Sequence, residues 1–166
     1  MNEKFLKPYN PQETESNIYK LWEESGFFNP DNLPARHKNP YTIIMPPPNA
    51  NGSLHVGHAA FVTLQDLMIR YHRMRGYKTL WLPGADHAGF ETQVVYEKKL
   101  EKEGRSRFGM DPDVLRDEIM AFTLENKQYM EGQIRKLGAS CDWSREKFTL
   151  DKDIIDTVYK TFKQLS

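Results

Sequence analysis

One cysteine, Cys141, stands in 166 residues, so no internal disulfide can form and a cysteine-built metal site lacks its ligands. An excess of charge of either sign is also missing, because 23 Lys and Arg balance 23 Asp and Glu. Without a global positive field, a polyanion has to be met locally rather than held by the whole surface. No apolar run approaches the roughly 20 residues of a membrane-spanning helix. The N-terminal MNEKFLKPYN lacks the apolar core of a signal peptide. Internal repeats and low-complexity segments are absent too. What remains is the expectation of one soluble, cytoplasmic domain, large enough for a core and with no membrane partner.

The periodicities that are present predict an α/β chain. A helix is expected over residues 11–25, with Pro11 in its first turn, Ile18, Leu21 and Trp22 on one face and Gly26 past its end. A proline-rich loop leads into Tyr41-Thr-Ile-Ile-Met45, a buried strand by its β-branched run, stopped by Pro46. Leu54, Phe61, Leu64, Met68 and Tyr71 then recur at helical spacing and predict a stripe packed on a sheet. Arg70, Arg73 and Arg75 crowd that helix's last turn before Gly76, and residues 77–82 predict a second strand. Strand, helix and strand predict a parallel unit, the first half of a doubly wound sheet. Three further helices are expected: 91–103 with Val94, Val95 and Leu100 inward, one opened by Asp111-Pro112 and closed by Gly138, and an amphipathic one from Asp151. The last lacks a C-terminal cap, which reads as a fragment.

The residues able to carry chemistry gather at the two strand ends, PPPNANGS and PGADHAG, where parallel sheets bind ligands. Pro46, Pro47 and Pro48 form a stiff wall without donors, and Asn49 supplies an amide for a ligand's polar group. Ser53 reads as the N-cap of the following helix, whose N-terminus attracts anions. His55 and His58 share one side of that helix, placed to donate to phosphate oxygens as charge builds. Gly57 costs about 1 kcal/mol in a helix interior, so something flat, such as adenine, is expected against the backbone there; helix packing is the other reading. Asp86 suits an ammonium group or a helix cap, with His87 beside it. His55, His58 and His87 lack the spacing of a zinc motif. Cys141, Asp142 and Trp143 read as structural.

His55-Val56-Gly57-His58, after a strand and opening a helix, resembles the His-x-Gly-His signature of class I aminoacyl-tRNA synthetases. Nucleotidylyltransferases share a similar pattern. The stretches MPPPNANGSLHVGHA, RYHRMRGYKTLWLPGADHAG and LGASCDWSREKFTLD resemble the valine subgroup of that family, from about Tyr9 onward. Ala50-Asn51-Gly52, Ala85 and Phe90-Glu91 depart from the subgroup's usual Val-Thr-Gly, threonine and Ile-Ala.

The resemblance implies a Rossmann-type catalytic domain that activates valine with ATP and passes it to tRNA(Val). His55 and His58 would stabilise phosphate charge and Gly57 would admit adenine, with Ser53 and His87 completing the ATP-binding set. Pro47, Asn49 and Asp86 would bind valine. Magnesium would arrive with ATP, and neither a tightly bound cofactor nor a protein partner is implied. Residues 1–166 would be the N-terminal part of the catalytic domain, with helix and loop over 1–40 and mainly helix over 111–166. A Lys-Met-Ser-Lys-Ser-like loop and the editing and anticodon-binding domains would lie outside it. An isoleucine-type synthetase, a nucleotidylyltransferase and a noncatalytic synthetase-derived binding module are the alternatives.

Overall fold

The computed structural model describes residues 8–165, and the stretch MNEKFLK with its missing signal core lies outside them. Helix α1 spans Pro11–Glu24, opened by Asn10, whose side chain accepts from the Gln12 amide at 3.1 Å. Strand β1 (Pro40–Ile44) runs parallel to β2 (Lys78–Leu82), and α2 (Val56–Met74) crosses between them. Two-residue strands β3 (Gly84–Ala85) and β4 (Lys147–Phe148) form a second parallel pair that no periodicity foretold. Helices α3 (Gly89–Lys102), α4 (Pro112–Lys136) and α5 (Lys152–Leu165) complete the chain. The expected α/β class with parallel strands is what forms. No described helix is long and apolar enough to cross a membrane.

The core joins Met45, Val62, Ile69, Trp81, Met130 and Ile134, with Cys141 buried among them. Burial pushes the Cys141 thiol well above its ordinary range, so it is kept as an inert small hydrophobe.

The buried face of α2 corrects the expected stripe. Leu54 and Phe61 do pack against the core, but Leu64 is 65% exposed and Tyr71 54%, and Met68 is exposed as well. Val62 and Ile69 are buried instead, beside polar residues that the loop at 138–142 satisfies. Asp66 Oδ1 accepts from the Ser140 amide and hydroxyl at 2.9 and 2.6 Å, and Arg70 Nη2 donates to the Gly138 carbonyl at 2.6 Å. Arg73 donates to Thr79 Oγ1, Ser140 Oγ and the Ser140 carbonyl. A hydrogen-bonded polar face can be buried without the penalty an unpaired one incurs. Thus Arg70 and Arg73 bind a loop rather than merely complementing the helix dipole.

Similar shifts occur elsewhere. Tyr19 rather than Ile18 or Leu21 is the buried residue of α1, because its hydroxyl donates to the Ala139 carbonyl and accepts from Trp143 Nε1, both at 2.8 Å. In α3 the buried residues are Thr92, Tyr96 and Leu100, with Val95 turned outward. In α4 the buried residues are Thr123, Met130 and Ile134, while Tyr129 is exposed.

Candidate functional site

The chain beyond β1 and the chain beyond β3 are tied together by backbone. The Asp86 amide donates to the Pro48 carbonyl at 2.9 Å and the Ala50 amide donates to the Asp86 carbonyl at 2.7 Å, continuing the parallel pairing past the strands. Side chains at this end surround a cavity of about 420 Å³. Pro46, Pro47 and Pro48 make one wall, and Asn49, Asn51 and Ser53 continue it. Leu54, His55, His58 and Phe61, from α2 and its approach, and Glu91 from α3 make the rest.

The histidines are fixed by the helix they open. His55, not Ser53, is the N-cap: its Nδ1 accepts from the Gly57 amide at 3.0 Å. His58 answers with Nδ1 accepting from the His55 amide at 3.2 Å, a reciprocal capping box built from two imidazoles. Ser53 lies before the helix and lines the cavity without capping it, a correction to the sequence reading. The reason is local: at N-cap and third helical position the two rings satisfy both amides themselves. A ring accepting at Nδ1 carries its proton on Nε2, so both histidines present Nε2–H donors. Their ring centroids lie 3.9 Å apart.

Burial, and then the nearby His55, lower the pKa of His58 below its ordinary 6.5. Unfolded chains therefore take this proton at higher pH than folded ones. The stability due to neutral His58 is complete above about pH 6.5 and is lost as pH falls through the folded value. Urea unfolding across the mildly acidic range should show that decline, and His58→Gln should flatten it. An unchanged slope in the variant would assign the titration to another group.

Gly57 has a structural reason that the sequence did not show. A Cβ there would lie 2.8 Å from His55 Cε1 and 3.0 Å from Nδ1, so the missing side chain makes room for the capping ring.

Of the other expected site residues, Pro47 and Asn49 reach the cavity, whereas Asp86 and His87 are held elsewhere. Asp86 Oδ1 accepts from the Ala88 amide at 3.0 Å and from Thr149 Oγ1 at 3.1 Å. That bond steadies Ala88, a non-glycine residue at φ 52° that leads into α3. His87 has Nδ1 2.6 Å from Thr149 Oγ1 and lines a separate cavity of about 390 Å³ between α3 and α4. Asp86→Ala should therefore cost about 1–2 kcal/mol of stability, while Asp86→Asn keeps the accepting oxygen and stays close to wild type. Equal losses in urea unfolding would mean that charge, not the accepting oxygen, holds the loop.

Asn51, Leu54 and Phe61 line the cavity without having been read as site residues, and two further contributors, which hold its walls, were missed as well. Glu91 Oε2 accepts from Asn49 Nδ2 at 2.8 Å at the cavity wall; its only sequence signal is an acid in the first turn of a helix after a strand-end loop. Gln133 of α4 accepts the Leu54 amide at 2.8 Å, anchoring the backbone just before His55, and no spacing in the sequence announces it.

The family model for tRNA synthetases class I (I, L, M and V) matches residues 17–166. The valine–tRNA ligase of Treponema denticola is 45% identical over 96% of this chain and 17% of its own length. That of Caulobacter vibrioides is 47% identical over 96% and 17%. The chloroplastic/mitochondrial valine–tRNA ligase of Arabidopsis thaliana is 51% identical over 92% and 15%. The chain thus spans about one-sixth of the length of these curated relatives. Among solved structures, the LeuRS of a LeuRS–tRNA–LeuAMS ternary complex from Agrobacterium radiobacter matches with a TM-score of 0.73 and 23% identity, over 95% of this chain and 18% of that one. That likeness carries the fold.

Proposed function

Since the chain belongs to the class I tRNA synthetases (I, L, M and V), we propose that it supplies the amino-acid-activating half-site of a valine–tRNA ligase. The observation that carries this reading is the two-histidine cap, which presents paired Nε2–H donors and a helix N-terminus at one cavity wall. The substrates are valine, ATP with its magnesium, and tRNA(Val), and the work belongs to the cytoplasm. A carboxylate oxygen of valine attacks the α-phosphorus of ATP as the bond to pyrophosphate breaks. Negative charge then grows on the phosphate oxygens, where each donor contributes about 2.7–4 kcal/mol of barrier lowering. The proline wall and Phe61 form the apolar side suited to a branched aliphatic chain. In the second step the terminal ribose hydroxyl of the tRNA attacks the activated carbonyl and releases AMP.

The domain organisation follows the same reading: this chain is the N-terminal part of the catalytic domain, with editing and anticodon recognition outside it. An apolar pocket separates amino acids that differ by one methylene by about 10–200-fold. ATP–pyrophosphate exchange by the natural gene product carrying this chain should respond to valine and favour it over isoleucine within that range. Exchange that ignores valine, or prefers isoleucine, would overturn the assignment.

A further inference from the structure

We propose that Glu91 is a positioning residue for the amino-acid substrate: it orients the Asn49 carboxamide so that its oxygen stays free beside the Glu91 carboxylate, and these two residues together match an ammonium group. The proposal rests on the activation reading above. A carboxylate accepts hydrogen bonds and does not donate them, so the Asn49 NH₂ end is the one that faces Glu91 Oε2 at 2.8 Å. Oδ1 of Asn49 is thereby turned the other way, as an acceptor.

Both residues are carried on fixed backbone. Asn49 sits between Pro48 and Ala50, each hydrogen-bonded to Asp86, so side-chain rotation is its remaining freedom. Glu91 lies in the first turn of α3, whose start is held by the Asp86 bond to the Ala88 amide and by Thr92 Oγ1 donating to the His87 carbonyl at 2.6 Å. The cavity therefore has two chemically opposite parts. His55 and His58 offer Nε2–H donors, suited to phosphate oxygens, whereas Asn49 Oδ1 and the Glu91 carboxylate repel phosphate and attract a cation. A molecule with an ammonium at one end and a phosphate at the other, such as an aminoacyl adenylate, enters in one direction only. Asp86, expected to meet the ammonium, has Oδ1 engaged by Ala88 and Thr149 and is not among the residues lining this cavity, whereas Glu91 is.

The test uses Glu91→Ala and Glu91→Gln in the natural gene product carrying this chain, with exchange kinetics and amide NMR. Glu91→Ala should raise KM for valine about tenfold and leave KM for ATP unchanged, the scale of one charged hydrogen bond. Glu91→Gln, whose carbonyl still accepts from Asn49 but whose NH₂ end no longer forces that direction and whose charge is gone, should fall between wild type and Glu91→Ala. The proposal is overturned if Glu91→Ala leaves KM for valine alone, if both Michaelis constants rise together, or if Glu91→Gln is as impaired as Glu91→Ala. Should wild type show no valine-dependent exchange, the activation reading falls. The contact is then judged by the Asn49 side-chain amide signals: slowed exchange lost in Glu91→Ala supports the proposal, and signals unaltered by the substitution overturn it.

Discussion

Replacing His55 or His58 with alanine is expected to lower the valine-dependent exchange rate by about 10²–10³-fold, the usual consequence of losing one preorganised donor to developing charge. Alanine removes two things at once, the Nε2–H donor and an acceptor in the helix cap. The effects separate with cap-competent replacements. Asparagine is a good N-cap residue, and glutamine serves at the third helical position of a capping box. His55→Asn and His58→Gln should therefore keep near-wild-type unfolding midpoints while losing the rate. If either variant retains full activity, the imidazole there is a cap and nothing more. If activity falls only in proportion to stability, the catalytic assignment is equally removed.

Gly57→Ala is expected to lower the exchange rate by about 100-fold, in line with the penalty for misplacing reacting groups by about an ångström. The new Cβ would sit 2.8 Å from His55 Cε1, so the ring must leave its place over the helix end. Two effects on stability oppose each other: replacing a helical glycine gains up to about 1 kcal/mol, and losing an N-cap costs about 1 kcal/mol. Thermal unfolding should thus move little while the rate collapses. A Gly57→Ala protein with wild-type exchange would show that the position of the His55 ring does not matter to the reaction.

Much of the site was legible because its determinants lie close together in the chain. Two histidines three apart, after a strand and before a helix, are enough to put both rings at one helix start. Pro47 and Asn49 follow from where β1 has to end. The N-cap was misread because Ser53 is the commoner capping type, and only the geometry at Gly57 reveals that an imidazole takes the role. Asp86 was legible as a residue of the strand-end loop, but not the destination of its carboxylate, since Thr149 arrives from 63 positions away.

By itself, the sequence determined several of the places where helices begin and end. Asn10-Pro11 and Asp111-Pro112 start helices, and Gly26, Gly76 and Gly138 follow helix ends at φ 69°, 82° and 80°. Caps, proline φ angles and left-handed glycines act within a turn of chain, so neighbouring residues suffice to specify them. Only the tertiary structure decided which face of α2 is buried and what the polar side chains at the site hold. Asp66 and Arg73 are partly buried because a loop some 70 positions later brings Ser140 into reach, and Glu91 meets Asn49 across 42 positions. A buried polar group is stable or costly according to the partner it finds, and that partner is supplied by folding rather than by adjacent residues.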